Sequence, residues 1–201
     1  GYVFSAPFFI LSMRTSQKLG QKASLVLYVS VALISYVGVL ALLILGQPGT
    51  AMSLSFPFNG GGAINLYTIL FIILFGIGYG AYYSTADMPI PMVADCADYE
   101  TYRSGKFIPG IMGTLFSLVD KLVSSLSATV VGVAVSLIGL ENLPTAETPY
   151  SDGMSMVVLL LFCIVPMIAW LVTLIAMKGY ILTGDKMKEI QIDEVGGLKV
   201  V

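Results

Sequence analysis

The stretch ASLVLYVSVALISYVGVLALLIL, residues 23 to 45, decides the class of this chain: its 23 residues carry no charge. As a helix rising about 1.5 Å per residue, it is long enough to cross the roughly 30 Å apolar core of a bilayer. Working outward, no residue from Ala23 to Ala86 carries a formal charge. Within that run, Gly46 to Gly62 (GQPGTAMSLSFPFNGGG) is rich in Gly, Pro and Ser, which break regular structure. Two spans joined by a loop account for it. The 201 residues are 57% hydrophobic and 11% charged, with a mean hydropathy of +0.90, where soluble domains carry roughly 25% charged residues. The reading is an all-α integral membrane protein.

Residues 1–13 form an apolar stub too short to cross a bilayer, so the chain is expected to begin inside a span, with sequence missing upstream. The stub lacks the basic leader and small-residue cleavage site of a signal peptide. After the polar connector RTSQKLGQKA, full spans are expected at about 23–45, 64–95, 109–140 and 154–177. Residues 1–179 would then be a membrane unit of four full spans plus a partial one, and 180–201 a tail. Asp87, Pro89 and Pro91 interrupt the second full span. Each Pro removes a backbone donor and crowds the preceding turn, which predicts a kink whose freed carbonyls are satisfied by neighbouring helices or water. DYETYRSGK, residues 98–106, reads as a polar turn, and 141–153 as an acidic, Pro-containing loop. The tail segment GDKMKEIQIDEVGG reads equally as a short amphipathic helix or a frayed end.

Orientation follows from the cations. Nine of the ten Lys and Arg fall on one side if the spans alternate: Arg14, Lys18 and Lys22, then Arg103 and Lys106, then Lys178, Lys186, Lys188 and Lys199. The opposite loops hold none and carry Glu141, Glu147 and Asp152. The positive-inside rule places the basic connectors and the C-terminus in the cytoplasm of a multi-pass inner-membrane protein.

The chain has no His, which excludes imidazole chemistry and His-containing metal sites from it. Cys96 and Cys163 are solitary in or beside apolar stretches, as buried free thiols are, and imply neither a metal site nor a redox role. A net charge of -2 gives no argument for a nucleic-acid partner. No nucleophile elbow, phosphate-cradling loop or metal-ligand cluster appears; the Gly triplet at 60–62 lacks the context such a motif needs.

The tenth cation is Lys121, beside Asp120, in the middle of an apolar run from about Pro109 to Leu140. Each charge at the centre of a membrane helix costs roughly 2.5 to 3.5 kcal/mol, so the pair needs partners, water or a task. Asp87 and Lys121 both fall roughly 16 to 18 Å from the turn between their spans, at matched depth, so a pair across the hairpin is sterically reasonable. Asp120 points about 100° away from Lys121 around the helix and needs another partner. Gly113, Ser117, Lys121 and Ser125 recur at spacings of four, while Ser124, Ala128 and Gly132 continue a second stripe from Asp120. Such stripes serve close helix packing, or they line a path for a hydroxylated solute. Tyr82 and Tyr83 either stack on a ligand ring or face lipid and core; Trp170 is assigned to packing. Asp95, Asp98, Tyr99, Glu100, Arg103 and Lys106 are either a solvated surface or a gate.

Residues 92–127, MVADCADYETYRSGKFIPGIMGTLFSLVDKLVSSLS, resemble the glycoside-pentoside-hexuronide (GPH):cation symporters of the major facilitator superfamily. The resemblance rests on Ala94-Asp95, Asp98-Tyr99, Arg103-Ser104-Gly105, Gly110 and Lys121 in order and spacing. It implies a C-terminal helical bundle of a major-facilitator-type transporter, with an N-terminal half as its partner. It implies transport of a sugar or glycoside coupled to Na+ or H+ by alternating access, no other cofactor, and a cation site mainly in the N-terminal half. Lys121 and Ser117 would line the central cavity. Asp95, Asp98, Tyr99, Arg103 and Lys106 would belong to a charge network closing the cytoplasmic side. Asp120 lies outside that signature, and Tyr82 or Tyr83 stands where the family can place a Trp. Lys121, Ser117, Asp87, Asp120 and Tyr83 are the candidate substrate and coupling residues. The rival readings are a transporter of the same fold for a non-sugar solute, and a non-transporting membrane scaffold or sensor.

Overall fold

The computed structural model describes residues 2–45, 66–139 and 153–197. The loop expected at 46–62, all but the last residue of the one at 141–153, and Lys199 lie outside the described residues. Among the described residues all regular structure is helical: α1 (Tyr2–Leu19), α2 (Gln21–Leu45), α3 (Leu66–Ser84), α4 (Pro89–Ser104), α5 (Pro109–Ser136), α6 (Met154–Leu159), a π-helical turn (Leu160–Ile164), α7 (Val165–Gly179) and α8 (Gly184–Gly197). Four stretches among them are long and apolar enough to cross a membrane: Gln21–Leu45, Leu66–Ser104, Pro109–Ser136 and Met154–Gly179.

Hydropathy marks the bilayer core and not the end of a helix, so two expected connectors are mostly helical. The polar residues from Arg14 to Lys18 continue α1, and the chain reverses at Gly20 alone, at φ +85°. Glycine is required there twice over, by the left-handed backbone and by space: a Cβ on Gly20 would lie 2.7 Å from the Gly184 Cα. Asp98 to Arg103, expected in a turn, form the last turns of α4. That helix ends at Gly105, at φ +70°, whose N–H donates to the Thr101 carbonyl.

The proline-bearing span breaks between α3 and α4. Pro89 and Pro91 deprive the carbonyls of Thr85 and Asp87, which accept instead from the N–H groups of Met88 and Ile90 at 3.2 Å each. Ser84 and Thr85 turn their hydroxyls back onto the carbonyls of Ala81 and Tyr82, at 2.7 Å each. The chain's own backbone and hydroxyls therefore satisfy the break, where neighbouring helices or water were expected. Pro166 has a parallel effect later: the π-helical turn directly before it lets the Val165 N–H reach the Leu160 carbonyl and buries Cys163 completely.

The core lies among α1, α2, α3 and α7. Leu25, Tyr28, Val29, Ala32 and Tyr36 of α2 are buried with Ala81, Met92 and Trp170. Tyr36 meets Trp170 edge-to-face at 4.8 Å, and Phe75, Phe162 and Tyr82 extend the aromatic cluster. Trp170 is thus a packing residue. Glycines let α3 approach closely, since a Cβ on Gly76, Gly78 or Gly80 would come within 2.7 Å of Phe4, Tyr36 or Phe8 respectively.

Candidate functional site

Helix α5 carries the candidate charges and is the least covered of the membrane-crossing helices. It packs chiefly on α4, and Asp120, Lys121 and Ser117 are all exposed. Because α5 is one unbroken helix, Gly113, Ser117, Lys121 and Ser125 do share a face. A Cβ built on Gly110, Gly113 or Gly132 would meet nothing within 4 Å. These three glycines of α5 therefore mark no helix contact among the described residues. Ser125 and Thr129 bond back to carbonyls of their own helix, those of Leu122 and Ser125.

Asp87 is elsewhere. It sits in the turn between α3 and α4 and lines a cleft of about 240 Å³ with Ser12, Ser16 and Gln17 of α1, Gln21 of α2, and Ser84. No ion pair joins it to Lys121 among the described residues. An unbroken helix would set Asp87 and Lys121 at matched depth, but residues 85–88 leave the helical register and Asp87 lines the cleft beside α1. Tyr83 is half-exposed and stacks on Tyr79 at 5.8 Å. Tyr82, its alternative, packs on Trp170. The candidate charges thus fall on two surfaces, Asp120 and Lys121 along α5 and Asp87 beside α1, while Tyr83 stays against Tyr79.

The junctions α1–α2, α4–α5 and α7–α8 gather at one end, which carries most of the cations. Asp95 borders a cleft of about 310 Å³ with Lys18, Gly20, Asp185 and Lys188. Tyr99 packs against α8. Each ion pair among the described residues lies within a single helix: Arg103 with Glu100 at 4.0 Å in α4, Lys186 with Glu189 at 2.9 Å and Lys188 with Asp185 at 3.9 Å in α8. Exposed pairs of this kind contribute little to stability. Asp98 and Lys106 take part in none of them. Among the described residues no ion pair joins one helix to another at this end.

Sequence reasoning missed one assembly, the seating of α8. Thr183 caps it, its hydroxyl accepting from the Lys186 N–H at 3.4 Å, and Asp185 in the first turn suits the helix dipole. Leu182 before the cap and Met187 in the first turn are buried together with Ile190, against Cys96, Tyr99 and Tyr180. This is the hydrophobic-staple spacing, and the run Leu182-Thr183-Gly184-Asp185-Lys186-Met187 carried that signal.

Four membrane-crossing helices, one of them exposing an acid and a base midway along its length, define a multi-pass membrane bundle with a polar face inside the bilayer. The chain belongs to the MFS/sugar transport protein family, whose model matches residues 3–184, and so to the major facilitator superfamily of transporters. It is 30% identical over 112 residues to the "Uncharacterized 29.9 kDa protein in crtE 3'region" of Pseudescherichia vulneris, a match covering 55% of this chain and 40% of that protein. The chain thus spans less than half the length of that relative. No solved structure matches it.

Proposed function

We propose that this chain supplies the C-terminal bundle of a sugar or glycoside symporter driven by Na+ or H+, working by alternating access against an N-terminal half. One observation carries the reading: Asp120 and Lys121 stand exposed about 18 Å along α5 from Pro109, on a helix where a Cβ at Gly110, Gly113 or Gly132 would meet no other described residue within 4 Å. Left to lipid, the two charges would together cost roughly 5 to 7 kcal/mol, so the face belongs against a polar cavity. Transporters built from repeats bind substrate near the midplane between their halves, where α5 would present this stripe. The GPH resemblance of residues 92–127 supplies the substrate class, and the family match supports a transporter.

In this reading Lys121 carries a charge whose partner changes during the cycle, with Ser117 giving a polar contact to sugar hydroxyls. Asp120 takes a partner in the N-terminal half, and Asp87 and Tyr83 act from the α1 side. The basic end faces the cytoplasm of the inner membrane, and Asp95, Asp98, Tyr99, Arg103 and Lys106 meet the other half when the inner side closes.

The test is uptake of radiolabelled glycosides and pentosides into vesicles carrying the full-length parent, with and without imposed Na+ and H+ gradients. Gradient-driven accumulation of one sugar, lost in Lys121→Ala at an unchanged membrane level, is the expected result. Accumulation of only non-sugar solutes would replace the substrate class. Replacement of Lys121 and Asp87 by Met without any functional loss would favour a scaffold.

A further inference from the structure

We propose that α8 is a clamp: it locks the α1–α2 corner to the basic end of α4, so that these parts move as one body. Three independent contacts carry this. On one side, Leu182, Met187 and Ile190 are buried against Cys96 and Tyr99 of α4 and against Tyr180, with Ile190 completely covered. On the other side, α8 begins where backbone touches backbone: a Cβ on Gly184 would stand 3.1 Å from the Gly20 Cα and 3.2 Å from the Leu19 carbonyl oxygen. Between them, Lys22 Nζ donates to the Tyr180 carbonyl, tying the first turn of α2 to the residue after α7.

The geometry suits a clamp better than a loose tail. A terminal segment that only trails in solvent buries no side chain completely, and its first turn needs no staple. Here the cap, the staple and the glycine contact all fix the same entry angle. The seam is also polar at its rim, where Lys18, Asp95, Asp185 and Lys188 border the cleft of about 310 Å³. α4 already packs on α5 and reaches the core through Met92; α8 adds a tie from the last turns of α4 to a different hairpin.

Cys96 reports on the seam, because it is half-buried under α8 while Cys163 is inaccessible. In the full-length protein in lipid nanodiscs, a membrane-impermeant maleimide should modify Cys96 slowly, as read by mass spectrometry of its peptide. Ile190→Asp places a charge in the apolar seat and should raise that rate about tenfold or more. Removal of residues 184–201 should do the same and remains informative if Ile190→Asp fails to fold. Spin labels at the exposed positions Arg14 and Tyr102 should give one narrow distance in the parent and a broad distribution without α8. Labelling rates and distances unchanged by loss of α8 would overturn the clamp. Neither readout depends on which solute is carried, so the clamp and the transport proposal fail separately.

Discussion

Helices α3 and α5 both use glycine inside a membrane span, and to opposite effect. In α3 the absent side chains of Gly76 and Gly80 are filled by the rings of Phe4 and Phe8, and that of Gly78 by Tyr36. In α5 the absent side chains of Gly110, Gly113 and Gly132 leave open space. Lipid tails are as apolar as Leu, so no hydrophobic force drives helices together within the bilayer, and close van der Waals packing must do it. The first set of glycines is there for packing within this chain. The second set, sharing a helix with Asp120 and Lys121, meets no other described residue.

The strongest way to break the comparison is to put the same bulk at both places. Gly80→Leu must push against the Phe4 carbonyl oxygen, 2.8 Å from the new Cβ, as well as the Phe8 ring. Backbone cannot yield as a side chain does, so a loss of about 3 kcal/mol or more is expected, and little folded protein. A Cβ at Gly113 meets no other described residue within 4 Å, so Gly113→Leu should leave thermal stability within about 0.5 kcal/mol, while narrowing the proposed cavity and lowering uptake. Equal thermal shifts for the two variants in detergent would end the distinction.

The next largest effect sharpens the packed side. Trp170→Ala opens a cavity beside Tyr36 and Tyr82, whose rings lie 4.8 and 5.6 Å away, at a cost of about 3 kcal/mol. Lys121→Ala, on the open side, should change stability by less than about 0.5 kcal/mol although it abolishes coupled uptake. Retention of a monodisperse peak after heating would measure both, and a large stability loss for Lys121→Ala would mean that its charge is structural.

The membrane class and the apolar cores of the spans were legible because charge-free runs of about 20 residues have few other uses. The break at Asp87 to Pro91 was legible from the two prolines, but its consequence was not: four residues in a turn redirect Asp87 to α1, which no count of residues reveals. Helix ends were read too short at Leu19 and Ser104, because polar residues continue a helix beyond the bilayer as readily as they leave it. The face shared by Gly113, Ser117, Lys121 and Ser125 came from spacing alone. That it would be uncovered did not, since burial depends on partners outside the helix. The tail was ambiguous on composition, and only the position of Leu182 relative to Met187 distinguished a seated helix from a frayed end.

The smallest expected effect concerns the α8 seam, intermediate between the filled and the open surfaces. The Tyr180 hydroxyl is buried there without a geometric hydrogen-bond partner, the Cys96 thiol and Asp95 carboxylate being its neighbours. Burial, and then the nearby Cys96 and Asp95, push its ionisation well above the ordinary phenol range. The docked state therefore favours the neutral phenol. Once the seam opens, the exposed phenol ionises near its usual value of about 10, so docking is at full strength below that pH and weakens as pH rises above it. The Arg14–Tyr102 spin-label distance should accordingly broaden above about pH 10 in the parent and broaden less in Tyr180→Phe. That variant also removes a buried donor that has no partner, so at neutral pH it should seat α8 as well as the parent or slightly better, by a few tenths of a kcal/mol. A weaker seat in Tyr180→Phe at neutral pH would mean that the hydroxyl is bonded across the seam and that the clamp is more polar than its apolar contacts indicate.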